Sequence, residues 1–241
     1  MTTAILSDIH GNLEALDAVL AEAKRRRPQR VFCLGDIVGY GASPNECLAR
    51  IREHCEVVLL GNHDAAASGG PEAARFNIYA RVAAEWTAKS LTRDNREYLQ
   101  KLPLTHPGGG FYLVHASPAG PRDWEYLLDR FDAEPQFQYF TEPVCFIGHT
   151  HQPAVYLADP AGCKALPVGN VTFEPGRRYI VNVGSVGQPR DHDPRACFVL
   201  YDDTAGSIEF VRVAYDIEGA QAKIRAAQLP EVLAARLETG E

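Results

Sequence analysis

The chain has 241 residues, 46% hydrophobic and 23% charged, with a formal net charge of -7. That is long enough for one large domain or two small ones around a sizeable core, with the balance of an ordinary soluble globular protein. The acidic excess argues against an extended groove for a nucleic-acid backbone; no apolar stretch approaches the ~20 residues of a membrane span, and the first residues read as unlike a signal peptide.

Residues 2–8, TTAILSD, read as a strand. Residues 11–27, GNLEALDAVLAEAKRRR, place apolar side chains at helical spacing before a basic last turn suited to a helix C-terminus. RVFCLGD (30–36) is the second strand. Ser43-Pro44-Asn45-Glu46 follows as a capping box with Pro at the first helical position, opening a helix to about His54. EVVLLGN (56–62) is the third strand. This β-α-β-α-β order implies parallel strands with helical crossovers.

From about 71 to 142 the pattern is more helical and less regular. Helices are expected near 73–90, 93–101 and 132–140, and Gly108-Gly109-Gly110 turns the chain into the strand FYLVH. After 143 strands dominate: PVCFIGH, AVYLAD, KALPV, RRYIVNVGS, RACFVLYD and SIEFVRVAY, closed by a polar helix of roughly 216–238. Helix-wound strands followed by hairpin strands imply an α/β fold of two stacked mixed sheets flanked by helices. With no linker, repeat or low-complexity tract, residues 1–241 read as a single domain. Cys33, Cys47, Cys55, Cys145, Cys163 and Cys197 include no CxxC pair and read as free, buried thiols in a reducing cytoplasm.

Several of these strands end in polar residues of one chemical kind. The first gives Asp8 and His10, the second Asp36, the third Asn62, His63 and Asp64, and later ones His115, His149 and His151. Ligands of open α/β sheets bind beyond the carboxyl ends of strands, so these ends would converge. A lone His there is more often a hydrogen-bonded structural residue, and an isolated "GD" or "GN" usually marks a turn. Two carboxylates and several imidazoles in one cleft are another matter, because burying them without a compensating charge is costly. Divalent cations supply that charge.

The ordered blocks D-x-H, G-D, G-N-H-D, H and G-H-x-H, from Asp8 to His151, resemble the calcineurin-like metallophosphoesterases. The block SDIHGN is similar to that of small bacterial and archaeal members, and VGSVGQPR (183–190) to bacterial members acting on diesters or dinucleoside polyphosphates. The resemblance implies a four-layer α-β-β-α sandwich with two divalent ions, Mn²⁺ first and Fe, Zn, Co or Ni as alternatives, ~3.5–4 Å apart. It assigns Asp8, His10 and His151 to one ion, Asn62, His115 and His149 to the other, and Asp36 to both. Water activated by the metals would attack phosphorus in line. His63, not needed as a ligand, would act as electrostatic stabiliser or general acid, oriented by Asp64.

Asn12 and Arg190 are candidates for phosphoryl oxygens; a helix cap and a surface turn are the respective alternatives. Purple acid phosphatases place a tyrosine ligand three residues after the bridging aspartate. Gly39 stands there instead, so a Tyr-ligated ferric ion is not expected and Tyr40 reads as pocket wall or core. Trp124 and Tyr126 are either a platform for a base or core residues. The expected partner is a small phosphorylated substrate, a nucleotide among the candidates. Diesters or phosphoanhydrides are favoured, with a phosphomonoesterase, a protein phosphatase or a non-catalytic scaffold as alternatives. An oxidoreductase is set aside, since no G-x-G-x-x-G follows the first strand.

Overall fold

In the computed structural model, which describes residues 1–241, the first third winds as its alternation demands. β1 (Thr2–Leu6) leads through α1 (Leu13–Arg26) to β2 (Arg30–Cys33), and α2 (Pro44–His54) carries the chain to the short β3 (Val57–Val58). Then come α3 (Asn62–Ser68), α4 (Ile78–Ser90), α5 (Arg93–Leu99), and the hairpin of β4 (Thr105–Gly108) and β5 (Phe111–Val114). α6 (Arg130–Ala133) precedes β6 (Val144–Ile147), β7 (Ala154–Asp159), β8 (Gly162–Leu166), β9 (Val171–Thr172) and β10 (Tyr179–Asn182). β11 (Ala196–Asp202), β12 (Ser207–Val213), α7 (Ile217–Ala226) and α8 (Glu231–Thr239) complete the chain.

The strands form two six-stranded mixed sheets, β3-β2-β1-β11-β12-β9 and β4-β5-β6-β10-β7-β8. Each contains a run of three parallel strands, β3-β2-β1 and β5-β6-β10, extended by antiparallel neighbours. Side chains alternate across each strand. In β6, Val144 and Phe146 enter the core between the sheets with Phe32, Leu113 and Val199. Cys145 and Ile147 face the other way, toward Leu127, Ala133 and Phe137. On the outer face of the first sheet, Ala4, Leu6 and Phe198 meet Leu16 and Val19 of α1 and Leu48 of α2. The expected sandwich is present, though its layers are unequal: the second sheet carries only α6 and a 3₁₀ turn at Glu134–Gln138.

Five local expectations change. Pro44 does start α2, but the Ser43 side chain makes no cap bond. The helix expected over 73–90 is a 3₁₀ turn, Pro71–Arg75, then α4, restarted by Asn77, whose side chain accepts from the Tyr79 and Ala80 amides. Pro135 limits α6 to one turn, and Pro230 divides the closing helix into α7 and α8. α3 begins where the end of the third strand is expected: β3 stops at Val58, and Gly61 is the N-cap residue of α3. No helix is long and apolar enough to cross a membrane.

Candidate metal centre

The carboxyl ends of β1, β2, β5 and β6 open into tight corners that meet at one edge of the sandwich. Asp8, His10, Asp36, His149 and His151 all take the left-handed backbone conformation, with φ between 50° and 69°. That region is uncommon for residues other than glycine and marks places where surrounding structure over-determines the chain. Backbone bonds tie the corners together: the Asp8 amide donates to Gly35 O (3.1 Å), His10 N to Asp36 O (2.9 Å) and Gly148 N to His115 O (2.9 Å). Glycine is required at two contacts. A Cβ at Gly61 would strike the Asp36 carboxylate, and one at Gly148 would strike Ser7 and Asp8.

The side chains then converge. Asp8, His10 and His151 bring one ligand atom each within 4.8 Å of one another, and so do Asp36, His115 and His149. Asp36 lies between the groups, its Oδ2 being 3.7 Å from His10 Nε2 and 3.4 Å from His115 Nε2. Asp8 Oδ1 is 3.4 Å from His151 Nε2, and His10 and His151 point their Nε2 atoms at each other across 2.9 Å. Every imidazole is fastened through its other nitrogen to a backbone carbonyl. His10 Nδ1 meets Val38 O at 3.1 Å, His115 Nδ1 Leu34 O at 3.1 Å, and His151 Nδ1 Gln188 O at 2.6 Å. His149 is reversed: its Nε2 meets Trp124 O at 2.9 Å, leaving Nδ1 for the centre. Such outer contacts fix the tautomer and aim of a metal-binding histidine.

The donor set fits a pair of divalent cations. Asp8 Oδ1, Asn62 Oδ1 and His115 Nε2 are buried without a protein partner, which is costly unless something accepts them. Burial pushes the Asp8 carboxyl up to about 7, with His115 opposing and Asp36 adding. Burial also acts to raise Asp36, but His115 and His63 outweigh it and hold that carboxyl below the usual range. Burial lowers His10 and His151 and takes His149 down to about 3, so these rings are neutral, as ligands must be. At His115 burial opposes the charged form, yet Asp36 and Asp8 prevail and raise it to about 9. Two buried carboxylates demand positive charge; a proton on His115 or a divalent cation meets that demand.

His63, second residue of α3, is buried with its ring edge-on to His10 (4.9 Å between centroids), tilted against Tyr40 (4.5 Å) and stacked on Phe76 (4.4 Å). It also lies within 4.8 Å of ligand atoms of His10 and Asp36. Asp64 does not orient it. Asp64 Oδ1 accepts from the Ile37 and Val38 amides (2.9 and 3.1 Å) and Oδ2 from Gly61 N (3.2 Å), so it binds the Asp36 corner to the Asn62 corner. Adjacent helical residues point about 100° apart, which sends Asp64 away from the His63 ring.

Asn12 is likewise corrected. Its Oδ1 accepts from Ala15 N, capping α1, and one N–H of its Nδ2 donates to Gly187 O, so the side chain takes the helix-cap role and is tied to the backbone on both ends of its amide. Arg190 does reach the centre, donating from Nη2 to Gln188 Oε1 (2.9 Å) and Tyr40 Oη (3.4 Å). Tyr40 is both core and wall, packed on Ala80 and Leu233 and 4.7 Å from the His10 ring. Trp124 is buried, whereas Tyr126 is 50% exposed and stacks on His149 at 4.1 Å. A cleft of about 510 Å³ opens beside Asn62 and His149 between Phe76, Arg75, Arg122 and Tyr126.

Sequence reasoning missed the support behind β10. Asn182 Nδ2 donates to Gly148 O and Thr150 Oγ1 (2.7 and 2.8 Å), and Ser185 Oγ donates to Asp8 O (2.8 Å). Asn182 offered the same signal as the ligands, a polar residue closing an apolar strand.

Comparison with known proteins agrees with this geometry. Residues 1–205 match the calcineurin-like phosphoesterase superfamily domain. An uncharacterized protein of Methanocaldococcus jannaschii is 41% identical over 241 residues, spanning 98% of this chain and 97% of that one. The crystal structure of a metallophosphoesterase from Sphaerobacter thermophilus, 39% identical, superposes with a TM-score of 0.89 over 100% of this chain and 99% of that one. A hypothetical protein from Pyrococcus horikoshii shares the fold at 22% identity, with a TM-score of 0.81 over 100% and 98% of the two chains.

Proposed function

The chain belongs to the calcineurin-like phosphoesterase superfamily, and from that premise we propose that it is a dimetal hydrolase of phosphodiester or phosphoanhydride bonds. The observation that carries this reading is the arrangement of Asp36 between two ligand groups whose imidazoles are all held by backbone carbonyls. Asp8, His10 and His151 would hold one ion, Asn62, His115 and His149 the other, with Asp36 shared. When bound, the ions supply the Lewis acidity that makes water a nucleophile near neutral pH and offsets phosphoryl charge. Nitrogen and oxygen donors suit Mn²⁺, with Fe²⁺, Zn²⁺, Co²⁺ and Ni²⁺ as alternatives.

The protein's own groups do the rest. Asp8 and Asp36 together carry two negative charges against four from two divalent ions, a surplus that favours an anionic substrate. Burial takes His63 down to about 4, so at neutral pH it is a neutral ring. It serves as a hydrogen-bond donor to charge developing on the phosphoryl or leaving oxygen, rather than as a proton source. Arg190, beside Tyr40, adds a guanidinium on the His10 side. The cleft beside His149 gives room for a second substituent on phosphorus, which a monoester does not have, and its aromatic walls suit a nucleoside. Six free thiols, five of them buried, fit the reducing cytoplasm expected from the sequence.

The test is substrate profiling of the Mn²⁺-loaded protein with bis-p-nitrophenyl phosphate, p-nitrophenyl phosphate and diadenosine tetraphosphate. Faster turnover of the first or third is expected. A monoester rate far above both would reverse the substrate ranking, and no hydrolysis of any would remove the enzymatic reading.

A further inference from the structure

Arg236 has no part in the centre described above. It comes from α8, beyond residue 205, where the match to the superfamily domain ends. Its Nη1 donates to Gln188 Oε1 at 3.3 Å, the same oxygen that accepts from Arg190 at 2.9 Å. Two guanidiniums thus share one neutral amide oxygen, and neither forms an ion pair with a carboxylate. The Nε of each is buried with no acceptor. Arg212, by contrast, is paired with Asp191. The acidic residue acting on Arg236 is Glu241, which is exposed and lies against His192 at 3.8 Å.

The pair abuts the His10 and His151 half of the centre. Gln188 O holds His151 Nδ1, Arg190 N donates to His151 O at 3.2 Å, and Tyr40, which Arg190 touches, packs on His10. The aromatic cleft opens on the other half, beside Asn62 and His149. A purely structural role, propping α8 against the Gln188 loop, leaves two like charges side by side and two buried N–H groups unmet, both unfavourable. An oxyanion relieves both, because the planar fork of a guanidinium matches phosphate oxygens in pairs.

We propose that Arg190 and Arg236 form a subsite for a second phosphoryl group, adjoining the one that is cleaved. The substrates are then phosphoanhydrides, carrying two or more linked phosphates. This rests on the phosphoester-hydrolase reading of the metal centre and narrows its substrate class. In that arrangement the organic substituent lies in the aromatic cleft and the remaining phosphate chain runs toward α8.

The experiment is calorimetric titration of the full chain, in excess Mn²⁺, with methylenediphosphonate and with methylphosphonate. The readout is the ratio of the two affinities. Arg236→Gln should lower that ratio about tenfold, as expected when a charge-assisted contact to one group is lost. Arg236→Lys, which keeps the charge but loses the fork, should lower it less and covers the case in which the Gln variant does not fold. Glu238→Gln, exposed on the same helix, should leave the ratio at its wild-type value. An unchanged ratio in both Arg236 variants, or an equal loss for both ligands, overturns the subsite. Wild-type hydrolysis of bis-p-nitrophenyl phosphate, p-nitrophenyl phosphate and diadenosine tetraphosphate tests the other reading separately: with none of the three turned over, a ratio that still falls leaves the subsite standing and the hydrolase reading refuted.

Discussion

At the floor of the site Asp8, His10, Asp36, His115 and His151 are at most 2% exposed, and each of the imidazoles is fixed through its second nitrogen to a carbonyl. On the rim Tyr126 is half exposed, and Arg75 and Arg122 form no ion pair. The floor is over-determined by backbone, as a group of metal ligands must be if it is to keep its geometry before and after binding. The rim is free to adapt, because its side chains answer to substrate rather than to the fold. The chemistry is therefore built into the strand ends, and the choice of substrate into loops and helices that can vary without disturbing it.

Changes to the floor should be the most severe. Asp36→Asn removes the carboxylate that lies 3.7 Å from His10 Nε2 and 3.4 Å from His115 Nε2, nearer to both rings than Asp8 Oδ1 at 3.8 and 4.0 Å. Outer-shell partners alone are worth ~10–100-fold, so a shared ligand should cost ~10³-fold in activity. Elemental analysis should find both ions reduced; full occupancy of two ions would contradict the shared role.

His63 stands between floor and rim. His63→Ala should keep both metals and lose ~10²-fold in rate, the usual effect of one preorganised donor to developing charge. Because the ring is neutral near pH 7, the loss should be similar for p-nitrophenolate and for poor alkoxide leaving groups. A loss confined to the poor leaving groups would restore the general-acid role, and loss of metal would make His63 a ligand.

The same division decides how much was legible from the sequence. Asp8, Asp36, His115 and His149 each follow an apolar strand by one to three residues, so a local pattern announces them. The roles of Asn12 and Asp64 depend on which backbone amides lie nearby, Ala15 for one and Ile37, Val38 and Gly61 for the other, and spacing alone does not reveal that. α3 has seven residues behind a glycine cap, too short to show a period. The rim comes from the 3₁₀ turn at Pro71–Arg75 and the loop of 122–126, where irregular backbone leaves no repeat to read. Arg236 lies on a helix that reads as an ordinary polar closing segment.

Acid should affect the floor and spare the rim. In the metal-free chain His115, at about 9, carries a proton at pH 7, and Asp8, at about 7, is half protonated. Ligands must lose these protons to bind, so loading Mn²⁺ at pH 7 should release about one to two protons per chain. Metal affinity then rises from pH 7 to 9 and levels off above, and it weakens as pH falls. Calorimetry in two buffers of different ionisation enthalpy measures the release, and a value of zero at pH 7 would contradict the assignment.

The smallest effect should come from the rim itself. Tyr126 stacks on His149 at 4.1 Å and 23° with half its surface open to the cleft, so it offers a face to a flat group without helping to aim any metal ligand. The hydrogen bond that aims His149 comes from the Trp124 carbonyl, which is main chain and survives any side-chain change at 126. Stacking on an aromatic ring is worth ~1–3 kcal/mol per base, and His149 would still supply one ring face after the change, so the lower end applies. Tyr126→Ala should thus raise KM for diadenosine tetraphosphate about fivefold, with a smaller rise for a diester that carries no base. Both metals should stay bound. A fall in metal content would move Tyr126 from the rim to the floor, and equal KM changes for substrates with and without a base would remove it as a platform.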